Sequence, residues 1–157
     1  MNPDLSLPDE AATLKLGEAL APGMAPGCVM HLRGDLGAGK TTLARGLLHA
    51  LGWTGRIKSP TYPLVELYTV SSLNLYHFDF YRFKDESEWL SSGFRDFFNA
   101  QSACIVEWPE RAGALLPAPD LELRLTFDAD ARRASLLAHS PAGEAWRSSA
   151  LSRFRLR

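Results

Sequence analysis

"GDLGAGKTTLARG", residues 34–46, is the stretch of this sequence that decides the fold. Within it, Gly34 to Thr41 follow the spacing of a phosphate-binding loop: two glycines with four residues between them, then a lysine and a hydroxyl residue. Glycines let the backbone turn successive N–H groups toward an anion, and a following helix directs its positive end to the same point. The segment therefore predicts a phosphate site between a strand and a helix.

The flanking sequence has the pattern that such a loop requires. "CVMHL", residues 28–32, is apolar and predicts a strand, and leucines at helical spacing predict a helix that ends near Gly52. We expect the loop backbone to surround the phosphates, Lys40 to reach the β- and γ-phosphates, and the Thr41 hydroxyl to be a Mg²⁺ ligand. The predicted nucleotide-binding residues of the loop are Asp35, Leu36, Gly37, Ala38, Gly39, Lys40 and Thr41.

Two acidic residues end apolar segments that read as strands. Asp79 lies in "YHFDF", residues 76–80, and Glu107 in "ACIVEW", residues 103–108. Parallel neighbouring strands bring their carboxyl ends to the side where nucleotide phosphates bind. We expect Asp79, with its short side chain, to hold Mg²⁺, and the longer Glu107 to orient the attacking water or to assist at the metal. For either residue alone, a solvated acid at a strand end is the alternative.

A hydroxyl loop and a histidine extend this candidate site. "SPTY", residues 59–62, places Thr61 on a proline-stiffened loop of the kind that senses a γ-phosphate and its metal, with Ser59 in support. An ordinary Ser-Pro turn is the alternative. His77 shares a strand face with Asp79, so it either bonds to that carboxylate or is a structural histidine of the sheet.

The rest of the chain predicts one α/β domain over residues 1–157, with frayed ends at about 1–5 and 152–157. Residues 6–21 predict a helix with Ser6 and Asp9 at capping-box spacing, and residues 85–100 a helix interrupted at Gly93. "LELRLTF" and "RASLLAH" alternate across a short turn and predict an antiparallel hairpin, and a last helix follows. The expected architecture is a mixed central sheet with a C-terminal hairpin.

Composition excludes several classes of protein. A formal net charge of −1 and a hydrophobic fraction of 46% are ordinary for a globular domain and indicate no nucleic-acid or membrane surface. No apolar stretch approaches the roughly 20 residues of a membrane span, and the two cysteines lack metal-ligand spacing. We therefore expect a cytoplasmic protein with buried thiols. No guanine-reading N-K-x-D segment occurs, which disfavours a GTPase.

Four segments, "GDLGAGKTTLARGL", "SPTYPLVELY", "YHFDFYR" and "CIVEWPERA", in this order and at these separations, resemble the TsaE (YjeE) family. The resemblance implies a P-loop NTPase-like three-layer fold and the ATPase component of the bacterial machinery that makes threonylcarbamoyladenosine at tRNA position 37. It implies ATP, ADP and Mg²⁺ as ligands, weak hydrolysis, and a complex with TsaD and TsaB. It adds Thr42 to the phosphate-binding residues, makes Thr61 switch-like, and assigns Asp79 and Glu107 to the Mg²⁺–phosphate centre.

The chain departs from the family at Tyr62 and Pro63, which follow Thr61, and Pro63 is expected to stiffen the loop. Two other functions stay open from the residues: a small P-loop kinase acting on a metabolite, and a scaffold in which nucleotide binding alone orders the "SPTY" loop. The arginine-rich tail, residues 147–157, is either a solvated terminus or a segment that contacts a phosphate backbone. We expect the protein to meet tRNA indirectly, through its partner proteins.

Overall fold

The structure, a computed structural model, describes residues 4–70 and 72–155. The described residues form seven strands and four α-helices. The strands are β1 (Asp4–Leu7), β2 (Val29–Arg33), β3 (Val65–Val70), β4 (Leu73–Asp79), β5 (Ser102–Glu107), β6 (Leu121–Asp128) and β7 (Ala131–Ala138). The helices are α1 (Glu10–Leu20), α2 (Lys40–Ala50), α3 (Glu86–Ser92) and α4 (Pro141–Arg155).

All seven strands belong to one sheet in the order β1-β7-β6-β2-β5-β4-β3. The four central strands β6, β2, β5 and β4 are parallel to one another. Antiparallel strands complete both sides, with β3 on β4 at one edge and the β6–β7 hairpin leading to β1 at the other. The mixed sheet and the C-terminal hairpin predicted from the sequence are thus confirmed.

Helices cover both faces of the sheet, which makes three layers. One core cluster joins the sheet to α1, α2 and α4, through residues such as Leu16, Leu47 and Trp146. The other joins it to α3 and is rich in aromatic rings, with Phe78 of β4 and Trp89 of α3 fully covered. No helix among residues 4–70 and 72–155 combines the length and apolar character needed to cross a bilayer.

The structure corrects the predicted start of the first helix and the ends of the chain. Asp9 is the N-cap of α1, where its carboxylate accepts a hydrogen bond from Ala12 N at 2.9 Å, and Ser6 lies outside the helix in β1. Residues 4 and 5, expected in a frayed end, belong to β1 because Leu5 and Leu7 bury their side chains. Residues 152–155 complete α4. The remainder of the predicted frayed ends, 1–3 and 156–157, lies outside the described residues.

The helix expected over residues 85–100 is shorter than its pattern suggested. It ends at Gly93, whose φ of 76° is left-handed, and a 3-10 turn follows at Phe94–Phe97. Within this helix Trp89 is buried, whereas Leu90 is 61% exposed. The phenylalanines beyond Gly93 instead pack their rings around Phe78.

The phosphate-loop helix is held in place by a close crossing with α1. A Cβ at Gly17 of α1 would collide with the carbonyl oxygen of Leu43, and one at Gly46 of α2 with that of Leu14. The two backbones therefore approach each other at positions where only glycine fits. This contact fixes α2, and with it the loop that precedes Lys40.

Both cysteines are buried, as the sequence predicts. Burial raises the pKa of the Cys28 thiol to about 11 and that of the Cys104 thiol to about 12. Both thiols therefore stay protonated at neutral pH and act as small apolar groups of the core.

His31 of β2 should make the fold sensitive to mild acid. Burial, followed by the charge of Arg33, lowers the pKa of this histidine from 6.5 to about 4. Between pH 6.5 and 4 the unfolded chain thus binds a proton that the folded chain does not, so stability falls as pH falls through this window. We expect the free energy of unfolding of His31→Phe, measured with urea, to fall less between pH 6.5 and 4 than that of wild type, by about 3 kcal/mol at most. Parallel curves for the two proteins would contradict this.

Candidate phosphate-binding site

The loop of residues 34–39 connects β2 to α2, as the motif requires. Gly37 and Gly39 have φ values of 80° and 108°, in the left-handed region that side chains disfavour. Helix α2 begins directly after Gly39 with no side-chain cap on its first turn. Its leading N–H groups are therefore available to an anion, and the helix dipole adds to the attraction.

Lys40, the first residue of α2, folds back over this loop. Its Nζ donates hydrogen bonds to the carbonyl oxygens of Gly34 and, at 3.2 Å, of Asp35, and it lies 4.2 Å from the centre of the Trp108 ring. Burial lowers the pKa of the ammonium group, while the charges of Glu107 and Asp79 act in the opposite direction. A positive charge is thus held at the centre of the loop by carbonyl and aromatic groups, which phosphate oxygens could replace or join.

The two predicted acids lie side by side. Asp79 and Glu107 end neighbouring parallel strands and are direct partners in the β4–β5 register. Both are buried, at 7% and 3% exposure. Asp79 accepts hydrogen bonds from Tyr81 N at 2.9 Å and from the Thr61 hydroxyl at 3.3 Å. Burial, and then the neighbouring Glu107, raises the pKa of Asp79 despite these bonds.

Glu107 has its own partner below the cavity. Its Oε2 lies 2.6 Å from Nε2 of His77, and both side chains are buried. The sequence left two alternatives for His77, a bond to Asp79 or a structural role in the sheet. His77 does contact a carboxylate of the site, but it is that of Glu107 on the next strand and not that of Asp79 on its own strand.

Thr61 joins its loop to Asp79. Because its only hydroxyl hydrogen is directed to Asp79, the Ser59 hydroxyl, 2.7 Å away, is the donor in the Ser59–Thr61 bond. Tyr62 is 80% exposed, with the guanidinium of Arg82 at 5.0 Å from its ring centre. The loop thus reaches the acids through Thr61 and presents an aromatic ring to solvent.

These side chains surround one cavity of about 240 Å³. It is lined by Leu36, Gly37, Gly39, Lys40, Thr41, Thr42, Thr61, Asp79, Glu107 and Trp108. Two predicted residues lie apart from it. Asp35 faces a neighbouring groove beside Arg33, and Ala38 is buried and faces a second cavity on the other side of the loop.

The second cavity, of about 250 Å³, includes residues that the sequence analysis missed. Asp9 is the N-cap of α1 and Thr13 lies within that helix, and Asp130 and Arg132 come from the β6–β7 hairpin. Arg132 also donates to the carbonyl oxygen of Gly37 at 3.3 Å. These residues are far apart in the chain and follow no motif, so only the folded sheet brings them to the loop.

The chemistry of the first cavity fits a hard divalent cation. Mg²⁺ binds oxygen ligands, commonly one or two carboxylates completed by phosphate oxygens and water. Asp79, Glu107 and the Thr41 hydroxyl are donors of that kind. In the part of the chain that the structure describes, no cluster of three or more His, Cys, Asp or Glu residues could hold a metal by itself. A cation here would therefore need the ligand's own oxygens.

Comparisons with known proteins agree with this architecture. A family model, "Threonylcarbamoyl adenosine biosynthesis protein TsaE", matches residues 7–135. A relative from Haemophilus influenzae, named tRNA threonylcarbamoyladenosine biosynthesis protein TsaE, is 41% identical over 88% of this chain and 90% of its own length. A protein of the same name from Bacillus subtilis is 40% identical over 83% of this chain and 86% of its own length.

The fold is also found in a solved structure. The crystal structure of YdiB from Bacillus subtilis superimposes with a TM-score of 0.79 at 28% sequence identity, covering 97% of each chain. Together with the family match over most of the chain, this likeness supports one conclusion. The chain belongs to the TsaE family, whose named members act in the biosynthesis of threonylcarbamoyladenosine in tRNA.

Proposed function

We propose that this chain is the Mg²⁺-dependent, ATP-binding and ATP-hydrolysing subunit required for threonylcarbamoyladenosine modification of tRNA adenosine 37. It acts in the cytoplasm through a complex with TsaD and TsaB, and meets tRNA through those partners. One observation carries the nucleotide part of the proposal: Lys40, Asp79 and Glu107 converge on one cavity at the phosphate loop. Family membership supports the pathway.

The two cavities beside the loop suggest where the phosphates and the nucleoside of ATP bind. Each has a volume below the range usual for a complete small-molecule pocket, about 300–1,000 Å³. Both are lined by Gly37, Gly39 and Thr42, so they meet at the loop. The cavity with Lys40 and the carboxylates takes the phosphates. The nucleoside lies toward the second cavity, where Asp9 and Arg132 offer polar groups.

The residues that line the first cavity can supply the groups that ATP hydrolysis requires. Water attacks the γ-phosphorus, the bond to the β–γ bridging oxygen breaks, and ADP and phosphate leave. Lys40 and the first N–H groups of α2 stabilise the charge that develops on the phosphates. Glu107 orients the attacking water and Thr61 stands by the γ-phosphate. Asp79 and Thr41, with Glu107 assisting, would hold Mg²⁺, which would neutralise phosphate charge and align the reacting oxygens.

Replacement of Lys40 tests the phosphate site. Lys40→Ala removes the charge-assisted bonds to the phosphates, so we expect ATP affinity to fall by about 10- to 100-fold. Isothermal titration calorimetry with ATP and Mg²⁺ measures it, and Lys15→Ala, an exposed lysine of α1, is the control. Equal affinity in both variants would refute the site.

Asp79→Asn separates the metal role from folding. We expect it to abolish Mg²⁺-dependent hydrolysis while ATP still binds. Because burial in the folded state raises the pKa of Asp79, its charge lowers the stability of the fold at any pH above the unfolded-state pKa. A neutral amide should therefore stabilise the ligand-free protein at pH 7. Urea unfolding and phosphate release measure the two effects. Undiminished hydrolysis would remove Asp79 from the centre, and a phosphorylated metabolite formed with ADP would indicate a kinase.

The pathway is tested on tRNA itself. Depletion of the protein should lower threonylcarbamoyladenosine in total tRNA, measured by mass spectrometry of nucleosides. Wild type and Lys15→Ala should restore it, and Lys40→Ala and Asp79→Asn should not. Unchanged modification after depletion would contradict the proposed role, and restoration by Lys40→Ala would favour a function that does not need nucleotide.

A further inference from the structure

His77 and Glu107 form a buried polar pair beneath the phosphate cavity. The histidine side chain is 0% exposed and that of Glu107 3%, with Nε2 and Oε2 2.6 Å apart. His77 does not line the cavity, whereas Glu107 does. The imidazole is therefore closed off from any ligand there, and its hydrogen bond to the site is made to Glu107.

The sheet fixes this pair geometrically. In the β4–β5 register His77 is opposite Ile105, and Asp79 is opposite Glu107. His77, Asp79 and Glu107 thus share one face, since residues two apart on a strand point the same way. The His77 ring spans the diagonal between the strands and meets the last residue of β5 from behind, where a long side chain can reach.

The direction of the hydrogen bond follows from the groups. A carboxylate only accepts, so Nε2 of His77 carries the hydrogen and donates it to Oε2. The bond leaves the other oxygen, Oε1, without a hydrogen-bond partner among residues 4–70 and 72–155. One oxygen of Glu107 is thereby anchored in the interior, and the other is free for the cavity.

The cost of this arrangement argues against simple space filling. Nδ1 of His77 is buried and lacks a hydrogen-bond partner in the described part of the chain. An unsatisfied buried polar atom is unfavourable, and an apolar ring of similar size would avoid it. The imidazole therefore contributes something that an apolar side chain could not, and its one polar contact is Glu107.

We propose that His77 is a positioning residue that holds Glu107 in the orientation needed at the Mg²⁺–ATP centre. The inference rests on the proposed function, because it gives Glu107 a part in that centre. Asp79 lies directly beside Glu107, and the like charges repel. Without the His77 bond, Glu107 can turn away from Asp79, for example toward the Lys40 ammonium. The bond keeps both carboxylates directed at one point.

Two substitutions distinguish positioning from packing. His77→Phe keeps a ring of similar size and removes the donor. His77→Gln keeps a donor, because its amide nitrogen, like Nε2, is four bonds from Cα. His31→Phe, which replaces a buried histidine of β2, on the other side of β5 from His77, is the matched control. For each protein, the turnover number, the Mg²⁺ concentration for half-maximal rate, and ATP affinity with and without Mg²⁺ are measured.

We expect His77→Phe to lower turnover or the apparent Mg²⁺ affinity by about 10- to 100-fold, the usual effect of losing a partner of a metal ligand. ATP affinity without Mg²⁺ should stay within about threefold of wild type. His77→Gln should recover most of the loss, and His31→Phe should match wild type. In ligand-free protein, a hydrogen-bonded imidazole N–H resonance should vanish in both His77 variants and shift upfield in Glu107→Leu.

Each other result overturns the proposal. Equal losses in His77→Phe and His77→Gln would indicate packing alone, and wild-type behaviour of His77→Phe would show that Glu107 needs no anchor. Absence of the downfield resonance would remove the hydrogen bond itself. If wild type shows no Mg²⁺-dependent ATP binding or hydrolysis, the proposed function fails and the positioning role with it, even where the resonance is present.

Discussion

Parallel pairing of β2, β5 and β4 is the constraint on which the candidate site depends. Parallel strands end at the same edge of a sheet, so the loop after β2 and the last residues of β5 and β4 meet there. The register then makes Asp79 and Glu107 direct neighbours. A shift of one residue in either strand would turn one carboxylate to the opposite face. The buried apolar residues of the two cores fix the strand register, and with it the positions of the two acids.

Two adjacent buried carboxylates would be unfavourable without compensation, and the surrounding residues supply it one group at a time. Lys40 brings a positive charge, Tyr81 N and the Thr61 hydroxyl donate to Asp79, and His77 donates to Glu107. The raised pKa of Asp79 shows that the compensation is incomplete in the ligand-free protein. A divalent cation would relieve the repulsion that remains, so the electrostatics that make two adjacent carboxylates unfavourable favour the binding of a cation.

Local patterns were sufficient for the elements that carry their own signals. The glycines and Lys40 mark the loop, alternation marks β4 and the β6–β7 hairpin, and strand-end position marks Asp79 and Glu107. Strand β1 was missed because four residues are too few to show a period, and it exists through pairing with β7. The His77–Glu107 pair and the second cavity were missed because each joins residues that are distant in the chain and that only the order of the strands in the sheet brings together. Sequence periodicity carries no information about that order.

Two residues beside the acids have a strained backbone. Leu64 and Trp108 adopt positive φ values of 71° and 57°, which are unfavourable for residues with a Cβ. Leu64 receives a hydrogen bond from Asp79 N and donates one to Pro60, so its turn ties the Thr61 loop to the end of β4. The turn at Trp108, directly after Glu107, brings the indole over Lys40. Glycine would adopt either turn more easily, but it would lack the side chain that packs there. The strain therefore accompanies two turns beside the acids: the backbone of Leu64 ties the Thr61 loop to the end of β4, and the side chain of Trp108 packs on Lys40.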